Sequence, residues 1–316
     1  MPDAVLFLKA MGTAAGVSAL FVLALGWMRR PASATRLNLT IVSAVALGLL
    51  FGHLVLQVRP KWPPANGLDR LLTIILPAVV GIELLAGFAS VPRRLVWSLR
   101  LSLSAATGRV LLYGSVYVAA RGEWTVLQTW LSLGSCAILL VLVWSLLVRL
   151  ADRAPGESIP LALAQASLCS GVTMMLAGYL TGGAAALPLA AALVGVAVAA
   201  SLVTTRPAMH GAIGIGVVGL FGLLFVAKFF AGLPTGRTLV LFLAPLLCWA
   251  SELPFLRGRP PWLIGTTRLA LVAIPLVVVL VLEKRDFDRY TAPLLGSAAV
   301  CPDFACPSQP WDLCPR

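Results

Sequence analysis

Long apolar stretches, most close to twenty residues, alternate along the chain with short polar breaks. A helix rises about 1.5 Å per residue, so roughly 20 apolar residues cross the ~30 Å hydrocarbon core of a bilayer. The pattern predicts ten helices, at residues 5–28, 37–58, 71–90, 101–120, 126–148, 159–181, 184–204, 211–233, 238–256 and 262–282. The expected fold class is therefore all-α, a polytopic integral membrane helical bundle of about 10 transmembrane helices. Residues 1–283 make up the transmembrane domain, divisible into five-helix halves at 1–150 and 158–283, and 284–316 form a short C-terminal tail containing Cys and Pro. Halves with an odd number of spans would be inverted relative to each other, as in many secondary transporters. No residue-level repeat accompanies the division.

The breaks combine helix-stopping residues with charge, as in Arg29-Arg30-Pro31, Arg153-Ala154-Pro155-Gly156 and Arg257-Gly258-Arg259-Pro260-Pro261. Two boundaries are less sharp. Thr181-Gly182-Gly183 reads as a turn or a bend, and the fourth helix starts at 101 or earlier, as an interfacial segment around Arg93 to Arg100. Ala32-Ser33-Ala34 has the small-residue spacing of a signal-peptidase site. The apolar stretch before it is too long and two arginines intervene, so a retained first helix is expected.

Composition agrees with the pattern: 59% of the residues are hydrophobic, 11% are charged and the mean hydropathy is +0.95. Soluble domains carry about 25% charged residues. A large soluble catalytic domain has no room here. The basic excess, 24 Lys and Arg against 12 Asp and Glu, would suggest nucleic acid in a soluble chain; here cationic loops held on the cytoplasmic side explain it, and no nucleic-acid partner is expected. The odd-numbered connections hold eleven Lys or Arg and the even ones five, which places the odd loops inside and both termini outside the cytoplasm. Lys284, Arg285 and Arg289 after the last span oppose this and narrow the margin. The preference for Arg over Lys points to a bacterial plasma (inner) membrane. Trp27, Trp62, Trp97, Trp124 and Trp262 fall at or beyond helix ends and read as interfacial anchors without a ligand role.

Ionisable residues inside spans are costly and mark functional positions. They are Lys9, His53, Glu83, Arg109, Lys228, Glu252 and Arg268. Lys9 and His53 lie near helix ends and can snorkel to the interface. Glu83 and Arg109 stand on consecutive predicted helices, each about 10–12 Å below the same surface. The hairpin thus predicts a carboxylate–guanidinium pair near mid-membrane, with Ser104, Thr107 and Gly108 beside it. This pair is either a hairpin lock or the polar centre of a binding site. Glu252 and Arg268 form a shallower second candidate pair, and Lys228 a lone one.

Glycine and alanine concentrate in the second half, with Gly211, Gly214, Gly216, Gly219 and Gly222 in the eighth span. Close helix packing is the first reading, bending for transport the second. Cys136, Cys169 and Cys248 read as packing residues; Cys301, Cys306 and Cys314 in the tail allow a disulfide or a free thiol. Their spacing matches no zinc site, and no metal or cofactor is expected.

Enzymatic readings lack their residues. His53 and His210 are the only histidines, no Gly-x-Ser-x-Gly or His-Glu-x-x-His occurs, and Asp286-Phe287-Asp288 reads as a solvated helix end. The function expected is a permease-like carrier of a small solute, with Glu83 and Arg109 as its polar centre and the eighth span as a flexible element. The alternative is a non-catalytic membrane scaffold or assembly subunit. Expected partners are the lipid bilayer, a small solute, and a second copy of the chain or other membrane subunits.

Overall fold

The computed structural model describes residues 4–28, 34–58, 60–88, 90–115, 117, 125–154, 156–204, 209–252 and 261–298. Every regular element among them is helical: α1 (Ala4–Met28), α2 (Ala34–Val55), α3 (Gly67–Arg70), α4 (Leu76–Ala86), α5 (Arg93–Leu111), α6 (Val126–Arg153), α7 (Ser158–Leu176), α8 (Leu180–Val203), α9 (His210–Phe230), α10 (Thr235–Leu243) and α11 (Pro261–Ala298). A π-helical turn at Leu71–Ile75 joins α3 to α4, and a 3-10 stretch at Ala244–Glu252 continues α10. Prolines sit at both irregularities. Pro77 and Pro245 have no N–H for the carbonyl one turn back, and the Leu76 N–H instead reaches five residues back to Leu71.

Each predicted span overlaps one helical stretch, but seven helices among the described residues, not ten, are long and apolar enough to cross a membrane: α1, α2, α6, α7, α8, α9 and α11. The other three fall short for visible reasons. The 67–86 stretch is broken by the π turn, α5 carries four arginines, and α10 is nine residues long.

α9 is the axis of the bundle. It packs against α2, α4, α5, α6, α7, α8 and α10, while α1 lies outside against α2 and α8, and α11 lies against α7 and the 3-10 stretch. Helices of 1–150 thus pack directly on those of 158–283. Glycines permit this crowding. A Cβ on Gly219 would stand 2.7 Å from Leu189, and one on Gly222 2.3 Å from Leu71. The glycines of α9 are contact points in an unbroken helix rather than bends, which favours the packing reading over the flexible-element expectation.

Two sequence boundaries move. The α7–α8 turn falls at Ala177–Tyr179, where Gly178 takes φ +88°, and Thr181-Gly182-Gly183 belongs to the first turn of α8. α11 runs past the expected end at 282 to Ala298, so the boundary between domain and tail falls inside a helix. Its charged segment is not simply solvated: Glu283 is buried, and Arg237 at the start of α10 donates to Glu283 Oε1 at 2.6 Å and to Asp286 Oδ2.

Candidate functional site

α5 begins at Arg93, eight residues before the expected start of the fourth span. Its buried positions, Val96, Arg100, Leu103, Ser104, Thr107, Gly108 and Leu111, recur at three- and four-residue spacing and face the bundle. Arg100 belongs to that stripe. Its side chain therefore points inward, toward the last turn of α4.

There it meets Glu83. Arg100 Nε donates to Glu83 Oε1 at 3.0 Å and Nη2 donates to Oε2 at 2.8 Å. This is the two-pronged guanidinium–carboxylate geometry that gives such pairs strength and direction. Glu83 has 0% relative exposure and Arg100 6%. The guanidinium lies over two indoles, with its carbon 5.1 Å from the ring centroids of both Trp97 and Trp144. On the far side of the carboxylate α9 comes so close that a Cβ on Gly214 would stand 2.5 Å from Glu83 Oε1. Gly214 is where α9 makes room for a charge.

The expected partner was Arg109. That pairing does not form: Arg109 is exposed, and both carboxylate oxygens are taken by Arg100. Nine residues of helix turn a side chain through about two and a half turns, so Arg109 emerges from the face of α5 opposite Arg100. The depth also changes. Glu83 stands three residues before the end of α4 and Arg100 seven after the start of α5, about 5 and 10 Å from the helix ends rather than at mid-bundle. Ser104 and Thr107 donate to the Arg100 and Leu103 carbonyls of their own helix, and their hydroxyls contribute nothing to the pair.

The pair lines a cavity of about 420 Å³. Arg93, Asp152 and His210 line it as well, where α5 begins, α6 ends and α9 begins. His210 Nε2 donates to Asp152 Oδ1 at 2.7 Å, and Arg93 Nη2 lies 3.9 Å from Asp152 Oδ2. Asn38 on α2 accepts from the Gly211 N–H at 3.0 Å and so caps the start of α9 from another helix. Thr35, Phe88 and Val91 complete a wall in which residues beside the first, third, fifth and seventh connections come together. Among the described residues, these four odd connections therefore share one face of the bundle.

The second expected pair does form, in a different setting. Arg268 Nη2 lies 3.8 Å from Glu252 Oε1, and Nη1 donates to Ser158 Oγ at 2.9 Å. Arg268 is buried, so it ties α11 to α7 rather than reaching headgroup water. Lys228 is half-buried in the last turn of α9, Lys9 is exposed and His53 is half-buried. Trp27 and Trp262 are exposed at helix ends and Trp62 is exposed in the segment between α2 and α3, while Trp97 is part of the Arg100 cradle and not only an anchor. Cys136, Cys169 and Cys248 are free thiols. Cys301, Cys306, Cys314 and Trp124 lie outside the described residues.

Hydropathy alone leaves Arg100 in the loop before the fourth predicted span. The signal was present: Val96, Arg100, Leu103 and Thr107 keep one helical face.

No family model matches the chain, and no curated protein and no solved structure matches it either.

Proposed function

We propose that the chain is a polytopic membrane protein, a permease-like carrier of a small solute, with the Glu83–Arg100 pair as its polar centre. The observation that carries this reading is the cavity that reaches a fully buried ion pair between helices. Buried charges are retained in membrane bundles where they face a polar path, and a lock alone needs no cavity beside it. The scaffold alternative relies on exposed faces of small residues, but α8 and α9, which hold most of them, are turned inward. The arginines beside the odd connections support a cytoplasmic mouth, in the plasma membrane of a bacterium, by the positive-inside rule.

The test is flux. The full chain, reconstituted in liposomes, is offered a panel of radiolabelled amino acids, carboxylates, sugars and inorganic phosphate. Exchange of at least one panel member above protein-free liposomes, lost in Glu83→Gln while that variant still elutes as a monodisperse species, supports the carrier. Liposomes no more permeable than protein-free ones to the entire panel refute it.

A further inference from the structure

Arg100 has one donor group that Glu83 does not use. Nε and Nη2 are spent on the carboxylate, whereas Nη1 carries no hydrogen bond, although the residue is more than nine-tenths buried. The edge is not among the polar atoms sealed from solvent without a partner, so water can reach it and a ligand acceptor can take that water's place. Arg100 also lines the cavity. From this juxtaposition we infer that the cavity is a subsite for a small organic monocarboxylate, whose carboxylate accepts from Arg100 Nη1 and whose apolar body lies against Trp97, Val91 and Val96. The inference rests on the carrier reading and names its substrate class.

Charge and shape select this chemistry. Arg93 and Arg100 are balanced in the cavity wall by Glu83 and Asp152. A doubly charged phosphate would leave a large uncompensated charge in a low-dielectric site, and Glu83 would repel it from beside its only buried donor. A monocarboxylate brings one charge. It also needs only the one free guanidinium edge, and that edge is held rigid, because two bonds to Glu83 and two indole faces fix the plane. A cation would meet two guanidinium groups, while both carboxylates of the wall are already engaged, Glu83 by Arg100 and Asp152 by His210. Ala86, Phe88, Val91, Val96 and Val148 give the wall an apolar part beside its charged one. About 420 Å³ lies within the range of pockets that enclose small ligands.

Binding is measured by equilibrium dialysis of radiolabelled benzoate against the full chain in detergent, with unlabelled isovalerate, benzamide and inorganic phosphate as competitors. Saturable benzoate binding is expected, displaced by isovalerate and at least 10-fold less well by the neutral isostere benzamide. Arg100→Lys keeps the charge but loses the fork, and affinity should fall at least 10-fold. Because that variant also disturbs the pair, a second one, Ala86→Phe, fills the cavity from α4 without touching either charge. It should lose affinity at least 10-fold with its unfolding temperature unchanged. Benzamide equal to benzoate, phosphate displacing as well as isovalerate, or wild-type affinity in Ala86→Phe overturns the proposal. Benzoate bound while neither it nor any member of the liposome panel is carried leaves the subsite standing and removes the carrier. Another solute carried, with neither benzoate nor isovalerate bound, leaves the carrier standing and removes the carboxylate subsite.

Discussion

Replacing Gly214 by alanine isolates the contact on which the buried pair depends. A Cβ there would stand 2.5 Å from Glu83 Oε1, 2.6 Å from Cδ and 2.9 Å from Cγ, about 0.9 Å short of ordinary contact at the closest atom. Glu83 cannot yield freely, because both oxygens are held by Arg100 at 2.8 and 3.0 Å. Moving the carboxylate by that amount would stretch those bonds past hydrogen-bonding distance. Overpacking costs about 1–3 kcal/mol, and weakening a charge-assisted bond in the interior adds about 1.5–3 kcal/mol. The helix propensity of alanine returns about 0.8–1 kcal/mol. Gly214→Ala should therefore destabilise the protein by about 1.5–5 kcal/mol, measured by reversible denaturation in detergent micelles. Gly134→Ala on α6 is the control, since nothing lies within 4 Å of its Cβ, and it should be neutral or stabilising by up to about 1 kcal/mol. The cause is separable by a double-mutant cycle. Glu83→Ala removes all three clashing atoms, so Gly214→Ala should cost less than about 0.5 kcal/mol in that background. An equal cost with and without the Glu83 side chain, or no difference between Gly214→Ala and Gly134→Ala, would refute the reasoning.

The pair itself should behave as a buried ion pair. Glu83→Gln leaves Arg100 uncompensated and should destabilise by about 3–5 kcal/mol, whereas the double exchange Glu83→Leu with Arg100→Met should lie within about 1 kcal/mol of wild type or above it, both read by the same denaturation assay. Asn38→Ala removes the acceptor at the start of α9 and should cost about 0.5–2 kcal/mol, with faster amide exchange confined to the first turn of that helix. Arg237→Ala frees Glu283 and Asp286, and, discounted for the partial exposure of Arg237, should cost about 1 kcal/mol and admit protease near Arg285. For orientation, Thr35→Cys as the sole cysteine should react with an impermeant maleimide only after cells are permeabilised; labelling in intact cells would place the cavity mouth outside.

The helices were legible because apolar length is a strong signal: all ten predicted spans overlap a helical stretch. The site was legible only in part. Hydropathy found Glu83, an isolated acid in an apolar run, but it placed the fourth span on the least polar window and so left Arg100 in a loop. What decides the partner is azimuth, and azimuth is carried by the stripe from Val96 to Leu111 rather than by depth. Asp152, His210 and Asn38 were invisible for a different reason. Each sits at a helix end, and only tertiary packing brings the starts of α2, α5 and α9 to the end of α6. The Glu252–Arg268 pair could be anticipated from proximity across one connection, whereas Ser158, which completes it, is 110 residues away.

α11 has a consequence of its own. It is 38 residues long, so at about 1.5 Å per residue it extends some 57 Å, nearly twice the hydrocarbon thickness. With its apolar stretch in a bilayer, the part from Glu283 to Ala298 stands roughly 24 Å proud as a mast. Arg237 stays the foot of that mast through two carboxylates on successive turns, which fixes its lean. A partner that docks on the last turns of the helix would meet them clear of the hydrocarbon, at a fixed reach from the bundle.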